Sequence, residues 1–149
     1  MFKNLLVAIG GSNSSLVALD RAICLGKLTE AKINVLSVAP EAIIRIPTNI
    51  SDEDEDLNED VYNITKKILE RARSILESYP YTYTCQYRTG DPAREIVAYA
   101  DEIGADLIVI GNRDLGFVSR TILGSVSKKV IDTANVCVLV AKEKDKDND

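Results

Sequence analysis

The feature that most constrains this chain is the regular exchange of short apolar runs for amphipathic helical stripes. Five runs recur, at Phe2 to Ile9, Ile33 to Ala39, Tyr81 to Arg88, Leu107 to Ile110 and Val136 to Ala141, with four helical patterns between them. Such an alternation requires parallel strands, right-handed crossovers and helices on both faces of one sheet. Leu5 to Ile9 and Leu107 to Ile110 are almost continuously apolar, as central parallel strands are when covered on both sides. The third run, Tyr81 Thr82 Tyr83 Thr84 Cys85 Gln86 Tyr87, alternates instead, which predicts an edge strand with one wet face.

The helical stripes carry their own punctuation. Leu16, Leu19, Ala22, Ile23 and Gly26 share a face, after Ser12, Asn13 and Ser14, any of which suits a helix cap. Leu57, Val61, Ile64, Ile68, Ala72, Ile75 and Tyr79 recur at three- and four-residue steps and predict a long helix from the acidic segment to Pro80, its acidic N-terminus favoured by the macrodipole. Asp91 caps and Pro92 opens a third helix with Ala93, Ile96, Val97 and Ala100 on its inner face, and Gly104 ends it. Ile122, Leu123, Val126, Val130 and Ile131 form a fourth stripe closing near Asn135.

At 149 residues the chain is expected to be one domain over 1–142, with a charged tail over 143–149. Residues 40–56, which include Pro47 and the start of an acidic run, are expected to be a mobile connection. The net charge of -5 is local, because Ser51 to Asp60 holds seven acids and no base, leaving 16 acids against 18 bases elsewhere. The remaining body, at +2, is able to attract a phosphate-bearing ligand.

Several function classes fall on composition. Without a histidine there is no imidazole base and no His-ligated metal site. No Lys/Arg-rich run is interleaved with aromatics, so nucleic acid is not an expected partner. Cys24, Cys85 and Cys137 are far apart within apolar or alternating patterns and are expected to be small buried hydrophobes. The N-terminal apolar run stops at Gly10, too short for a secretory core or a membrane span, which makes a cytoplasmic location the expectation.

In an open parallel sheet, ligands bind beyond the carboxyl ends of the strands, where neighbouring connections leave for opposite faces. After the first strand, Gly10 Gly11 Ser12 Asn13 Ser14 Ser15 offers unhindered amides and hydroxyls at a helix start, which suits phosphate. It equally suits a tight turn with a capping residue. After the fourth strand come Gly111 Asn112 Arg113 Asp114 Leu115 Gly116 Phe117 and then Gly124 Ser125 Val126 Ser127. A glycine within a helical pattern costs about 1 kcal/mol relative to alanine, so Gly124 calls for close approach by something.

Taken together, Ala105 to Arg113, Gly124 Ser125 Val126 Ser127 and Asn135 to Val140 resemble the universal stress protein family. Leu5 to Ile9 resembles its first strand and Gly90 Asp91 Pro92 Ala93 its third helix start, so the likeness spans nearly the whole chain. The resemblance implies a single doubly wound α/β sheet of five parallel strands in order 3-2-1-4-5 with four helices, the adenine-nucleotide α-hydrolase-like arrangement. It implies a homodimer paired through the last strand, Val136 to Ala141, and a stress-related regulatory or protective role. It also implies ATP or another adenine nucleotide, held through Gly-x-x-Gly, nine residues and Gly-Ser. Here that pattern begins at Gly111 and closes at Gly124 and Ser125. Ser125, Val126 and Ser127 inherit the phosphate contacts, and Val38 the backbone contact to adenine.

Two positions depart from the family. Asp114 stands where a second glycine is usual and brings a negative charge toward the phosphates. At about 4 Å and an effective dielectric near 20, an unscreened like-charge contact costs about 4 kcal/mol. Bound Mg2+ would offset it, as would an outward-pointing Asp114 with Gly116 supplying the freedom. Gly10 stands where the family commonly has an Asp that engages the nucleoside. Gly10, Gly11, Ser12 and Arg113 complete the candidate set, Arg113 as a phosphate clamp.

Two other readings remain. One is a nucleotide-independent dimeric interaction module of the same fold. The other is an ATP-hydrolysing or adenylating enzyme, because Ile9 Gly10 Gly11 Ser12 Asn13 Ser14 partly resembles the Ser-Gly-Gly-x-Asp-Ser loop of ATP pyrophosphatases. Ile9 and Asn13 break that match, and no cluster of acids and bases stands ready to activate a nucleophile or hold a metal.

Overall fold

A computed structural model describes residues 1–40, 51–113 and 123–143, with the side chains of 40 and 51–59 excepted. The elements follow in the order β1 (Asn4–Ala8), α1 (Asn13–Thr29), β2 (Lys32–Pro40), α2 (Ser51–Leu76), β3 (Tyr83–Gly90), α3 (Pro92–Ile103), β4 (Leu107–Gly111), α4 (Ser125–Thr133) and β5 (Cys137–Ala141). All strand pairs are parallel, in the order β3-β2-β1-β4-β5.

The continuous apolar runs are explained by where alternate residues go. Leu5, Val7 and Ile9 join Ile33, Val35, Leu107 and Val109 beneath α1 and α2, packing on Ala18, Leu19, Leu69 and Leu76. Leu6 and Ala8 turn to the other face with Leu36, Ile108 and Ile110, against Ala93, Ile96 and Val130 of α3 and α4. β1 from Leu5 onward and β4 are therefore apolar throughout, whereas β3 lies at the edge and carries exposed and half-buried residues. Tyr83 and Cys85 pack on the face beneath α1 and α2, while Arg88 reaches Tyr99 and Glu95 of α3 on the other.

Caps set most helix limits. Ser12 caps α1, accepting from the Ser15 amide, and Asp91 caps α3 by accepting from the Arg94 amide at 3.0 Å. Gly104 ends α3 in the left-handed region at φ 65°, a conformation that glycine adopts without penalty.

Several limits differ from the sequence reading: β3 runs Tyr83–Gly90 and α2 ends at Leu76. α2 already begins at Ser51, so the acidic stretch over 51–56 is helical rather than part of a connection, and β2 extends through Pro40. A carboxylate-rich first turn is what the helix dipole favours. Residues 41–50 of the expected connection lie outside the described residues. α4 begins at Ser125 instead of near Ile122, with Gly124 as its N-cap and Leu123 ahead of it, 38% exposed. The Gly124 amide donates to the Asn112 carbonyl at 2.7 Å, tying this point of the chain to the end of β4. Gly124 thus escapes the cost of a mid-helix glycine. No helix among the described residues is long and apolar enough to cross a membrane.

Candidate functional site

The order β3-β2-β1-β4-β5 puts the switch point between β1 and β4, and a cleft of about 490 Å³ opens at their carboxyl ends. Its floor comes from Ala8, Ile9, Leu36 and Ile110, and one wall from Val61, Ile64, Thr65 and Ile68 of α2. At the other end stand Gly10, Gly11, Ser12 and Ser15 at the start of α1, with Val126 and Ser127 at the start of α4. The cleft therefore has an apolar half beside β2 and α2 and a half built from two helix N-termini. The first-turn amides of a helix have no acceptor within it and carry partial positive charge.

Close packing holds the two helix starts against the sheet. Gly111 ends β4 so near to α1 that a Cβ there would stand 2.5 Å from Ser14 Oγ and 2.6 Å from the Ser14 carbonyl carbon. Ser14, fully buried, takes the Arg113 amide and donates to the Arg113 carbonyl, both at 3.3 Å. Ser15 Oγ donates to the Ser12 and Gly10 carbonyls, and Ser127 Oγ donates to the Gly111 carbonyl at 2.6 Å. These hydroxyls brace the loops. Gly10 differs from Gly111, because among the described residues nothing lies within 4 Å of the place a Cβ would take.

Of the residues singled out in the sequence, Gly10, Gly11, Ser12, Val38, Gly111, Arg113, Val126 and Ser127 line this cleft. Gly124 and Ser125 lie at the mouth of α4 without lining it, Gly124 buried and Ser125 exposed. Asp114, Gly116 and Phe117 lie outside the described residues. The α2 wall was missed as a site. Val61, Ile64 and Ile68 belong to an apolar stripe that reads as core, yet Ile64 is 57% exposed because it faces the opening. Periodicity reports which residues share a face and not whether that face meets protein or space.

Arg113 is paired with Glu143, which comes from the segment after β5. The cysteine reading needs correction: Cys24 and Cys137 are exposed and only Cys85 is partly covered. Cys24 lies on α1 away from the inner face formed by Ala18, Leu19, Ala22 and Gly26, and Cys137 opens an edge strand. Burial pushes the Cys85 thiol up, with Arg73 pulling the other way, which is the opposite of an activated thiolate.

Parallel doubly wound topology, with two helix starts meeting beside an apolar wall at the switch point, defines an α/β domain of the class that places its ligand sites at the strand carboxyl ends. Residues 1–142 match the Universal stress protein family. The chain belongs to that family. It is 36% identical over 148 residues to universal stress protein YxiE of Bacillus subtilis, covering 95% of this chain and all of the relative. A universal stress protein solved in complex with cAMP superposes with a TM-score of 0.71 at 27% identity, over 95% of this chain and 98% of that one. One from Archaeoglobus fulgidus, solved in complex with dAMP, superposes at 0.68 and 26% identity, over 95% of this chain and all of that one.

Proposed function

We propose that this cleft binds an adenine nucleotide, and that occupancy serves a cytoplasmic regulatory or protective role. The observation that carries the reading is the chemical asymmetry of one continuous space, apolar at β2 and α2 and amide-rich at the starts of α1 and α4. A volume of about 490 Å³ falls within the range of roughly 300–1,000 Å³ usual for small-ligand sites. In this reading the base packs on the α2 wall and meets a backbone group at Val38. The phosphates meet the amides of Gly11, Ser12 and the first turn of α4. Ser127 contributes its amide, since its hydroxyl is already given to Gly111. The relatives solved with cAMP and dAMP support adenine as the base. Mg2+ would accompany a polyphosphate to offset Asp114.

Calorimetric titration of the wild type and Asp114→Gly with ATP-Mg2+ and with AMP tests this. Saturable binding is expected, tighter to ATP in Asp114→Gly; silence in both proteins ends the reading.

A second reading has its own observation. β5 pairs only with β4 among the described residues and lies at the sheet edge with Cys137 exposed and Leu139 38% exposed, an apolar edge that pairing with a second copy would cover. Sedimentation of Leu139→Lys should then give a smaller species than the wild type. An unchanged species would remove this strand as the interface.

A further inference from the structure

We propose that the Ser37 hydroxyl hydrogen-bonds the polar edge of the bound base's six-membered ring, so that the half of the cleft beside β2 and α2 selects a hydrogen-bonding heterocycle over an apolar group of similar outline. The inference rests on the nucleotide reading above and adds a specificity-determining residue to it.

Ser37 stands where β2 outruns its neighbour. The β1–β2 register ends with Ala8 opposite Leu36, and the Ile9 amide donates to the Leu36 carbonyl at 2.9 Å. Ser37 is the first residue of β2 past that last pair, while β3 continues alongside with Tyr87 opposite. Ile33 and Val35 belong to the face beneath α1 and α2, and the two-residue period of a strand sends Ser37 to the same face. There it lines the cleft across from Val61, Ile64, Thr65 and Ile68 of α2.

Among the described residues, five that carry hydroxyls line the cleft: Ser12, Ser15, Ser37, Thr65 and Ser127. Four are already engaged. Ser12 Oγ accepts the Ser15 amide, and Ser15 Oγ donates to the Gly10 and Ser12 carbonyls. Thr65 Oγ1 donates to the Val61 carbonyl at 2.9 Å, and Ser127 Oγ to the Gly111 carbonyl. Ser37 Oγ has no hydrogen bond to any described residue, although Ser37 is only 3% exposed. A buried hydroxyl left unpaired is a cost to folding that a ligand is able to recover.

The position fits a base. Ser37 directly precedes Val38, whose backbone meets the base in the reading above, and the six-membered ring of a purine is the part furthest from the ribose and phosphates. A hydroxyl both donates and accepts, so it pairs with an exocyclic amino group or a ring nitrogen. An apolar ring of similar outline would seal Ser37 from water and leave it unpaired, which is how a site built to hydrogen-bond rejects an analogue that cannot.

The test is calorimetric titration of the wild type and Ser37→Ala with AMP, with ribose 5-phosphate, and with benzimidazole riboside 5'-monophosphate, whose six-membered ring has neither amino group nor nitrogen. The wild type should bind AMP at least about tenfold more tightly than the benzimidazole compound, the usual worth of one hydrogen bond. S37A should lose about tenfold for AMP, little for the benzimidazole compound and nothing for ribose 5-phosphate, so that the preference narrows. Melted without ligand, S37A should match or exceed the wild type, because the unpaired hydroxyl is gone. Equal wild-type affinity for AMP and the benzimidazole compound overturns the proposal whether or not the variant folds. So does an unchanged ratio in S37A. A variant that fails to fold, or that melts lower and loses all three ligands equally, also overturns it, since the hydroxyl then serves the structure. If the wild type binds none of the three, the nucleotide reading itself falls and takes this inference with it, whereas nucleotide binding with an unchanged ratio ends this inference alone.

Discussion

The two ends of the sheet are both polar, and they use polarity in opposite ways. At the amino ends of the strands, Thr84 donates to Asn34 Oδ1 at 3.1 Å, and Asn34 Nδ2 donates to Asn4 Oδ1 at 2.7 Å and to the Leu5 carbonyl at 2.9 Å. Asn4 Nδ2 continues to the Ile103 carbonyl, and Asp106 accepts the Lys3 and Asn4 amides. That chain of bonds crosses β3, β2 and β1 and is consumed within the protein. At the carboxyl ends, hydroxyls brace two loops while the helix starts themselves face a cleft. Polar residues do not mark a site by themselves; the site lies where the fold keeps a space open beside them. Gly111 and Gly10 repeat the lesson within one cleft, the first required by a neighbour and the second by none among the described residues.

The sharpest way to break this contrast is Gly111→Ala. A Cβ 2.5 to 2.8 Å from Ser14 atoms must displace the start of α1, and a loss of about 3 kcal/mol is expected in urea unfolding, at the upper end of the usual overpacking cost. A loss under about 1 kcal/mol would mean that the packing is looser than the geometry implies. Asn34→Ala comes next. It strands Thr84 and Asn4 partners where Asn34 is 2% exposed, and should cost about 2 kcal/mol while leaving any nucleotide affinity as in the wild type. An altered affinity would connect the two ends and undo the contrast.

Ser127→Ala leaves the Gly111 carbonyl without its 2.6 Å donor and should cost about 1.5 kcal/mol. If Ser127 also gave its hydroxyl to phosphate, affinity would fall far more than stability, and comparing titration with melting separates the two. The smallest effect is expected for Gly10→Ala, within about 0.5 kcal/mol of wild type by the same melts, because the added methyl enters open space. A large destabilisation there would mean that Gly10 has a packing duty after all.

Much of the fold was legible because its signals are local or binary. Near-continuous runs at β1 and β4, alternation at β3, Asp91-Pro92 at a helix start and Gly104 at a helix end were each readable, and each element is found there, β3 shifted two residues toward the C-terminus. The start of α4 was misread because Leu123 continues an apolar period that the Gly124–Asn112 hydrogen bond interrupts, a long-range contact without local trace. The acidic start of α2 was legible from the helix dipole, but its first residues, 51–56, were also assigned to the connection because they lack an apolar pattern. At the site, the loops were visible as glycine and serine clusters. The α2 wall and the partner of Arg113 were not, since both depend on which segments the topology brings together.

What the amino-acid order determined by itself is the layered architecture, because burial on one face or two is written directly into the spacing of apolar side chains. The tertiary structure alone decided which glycine is a packing necessity and which faces space, which serines are spent on carbonyls, and that a glutamate after the last strand answers the arginine of the cleft. Those outcomes hinge on distances of a few ångströms between residues as many as 99 positions apart, and no local pattern encodes such distances.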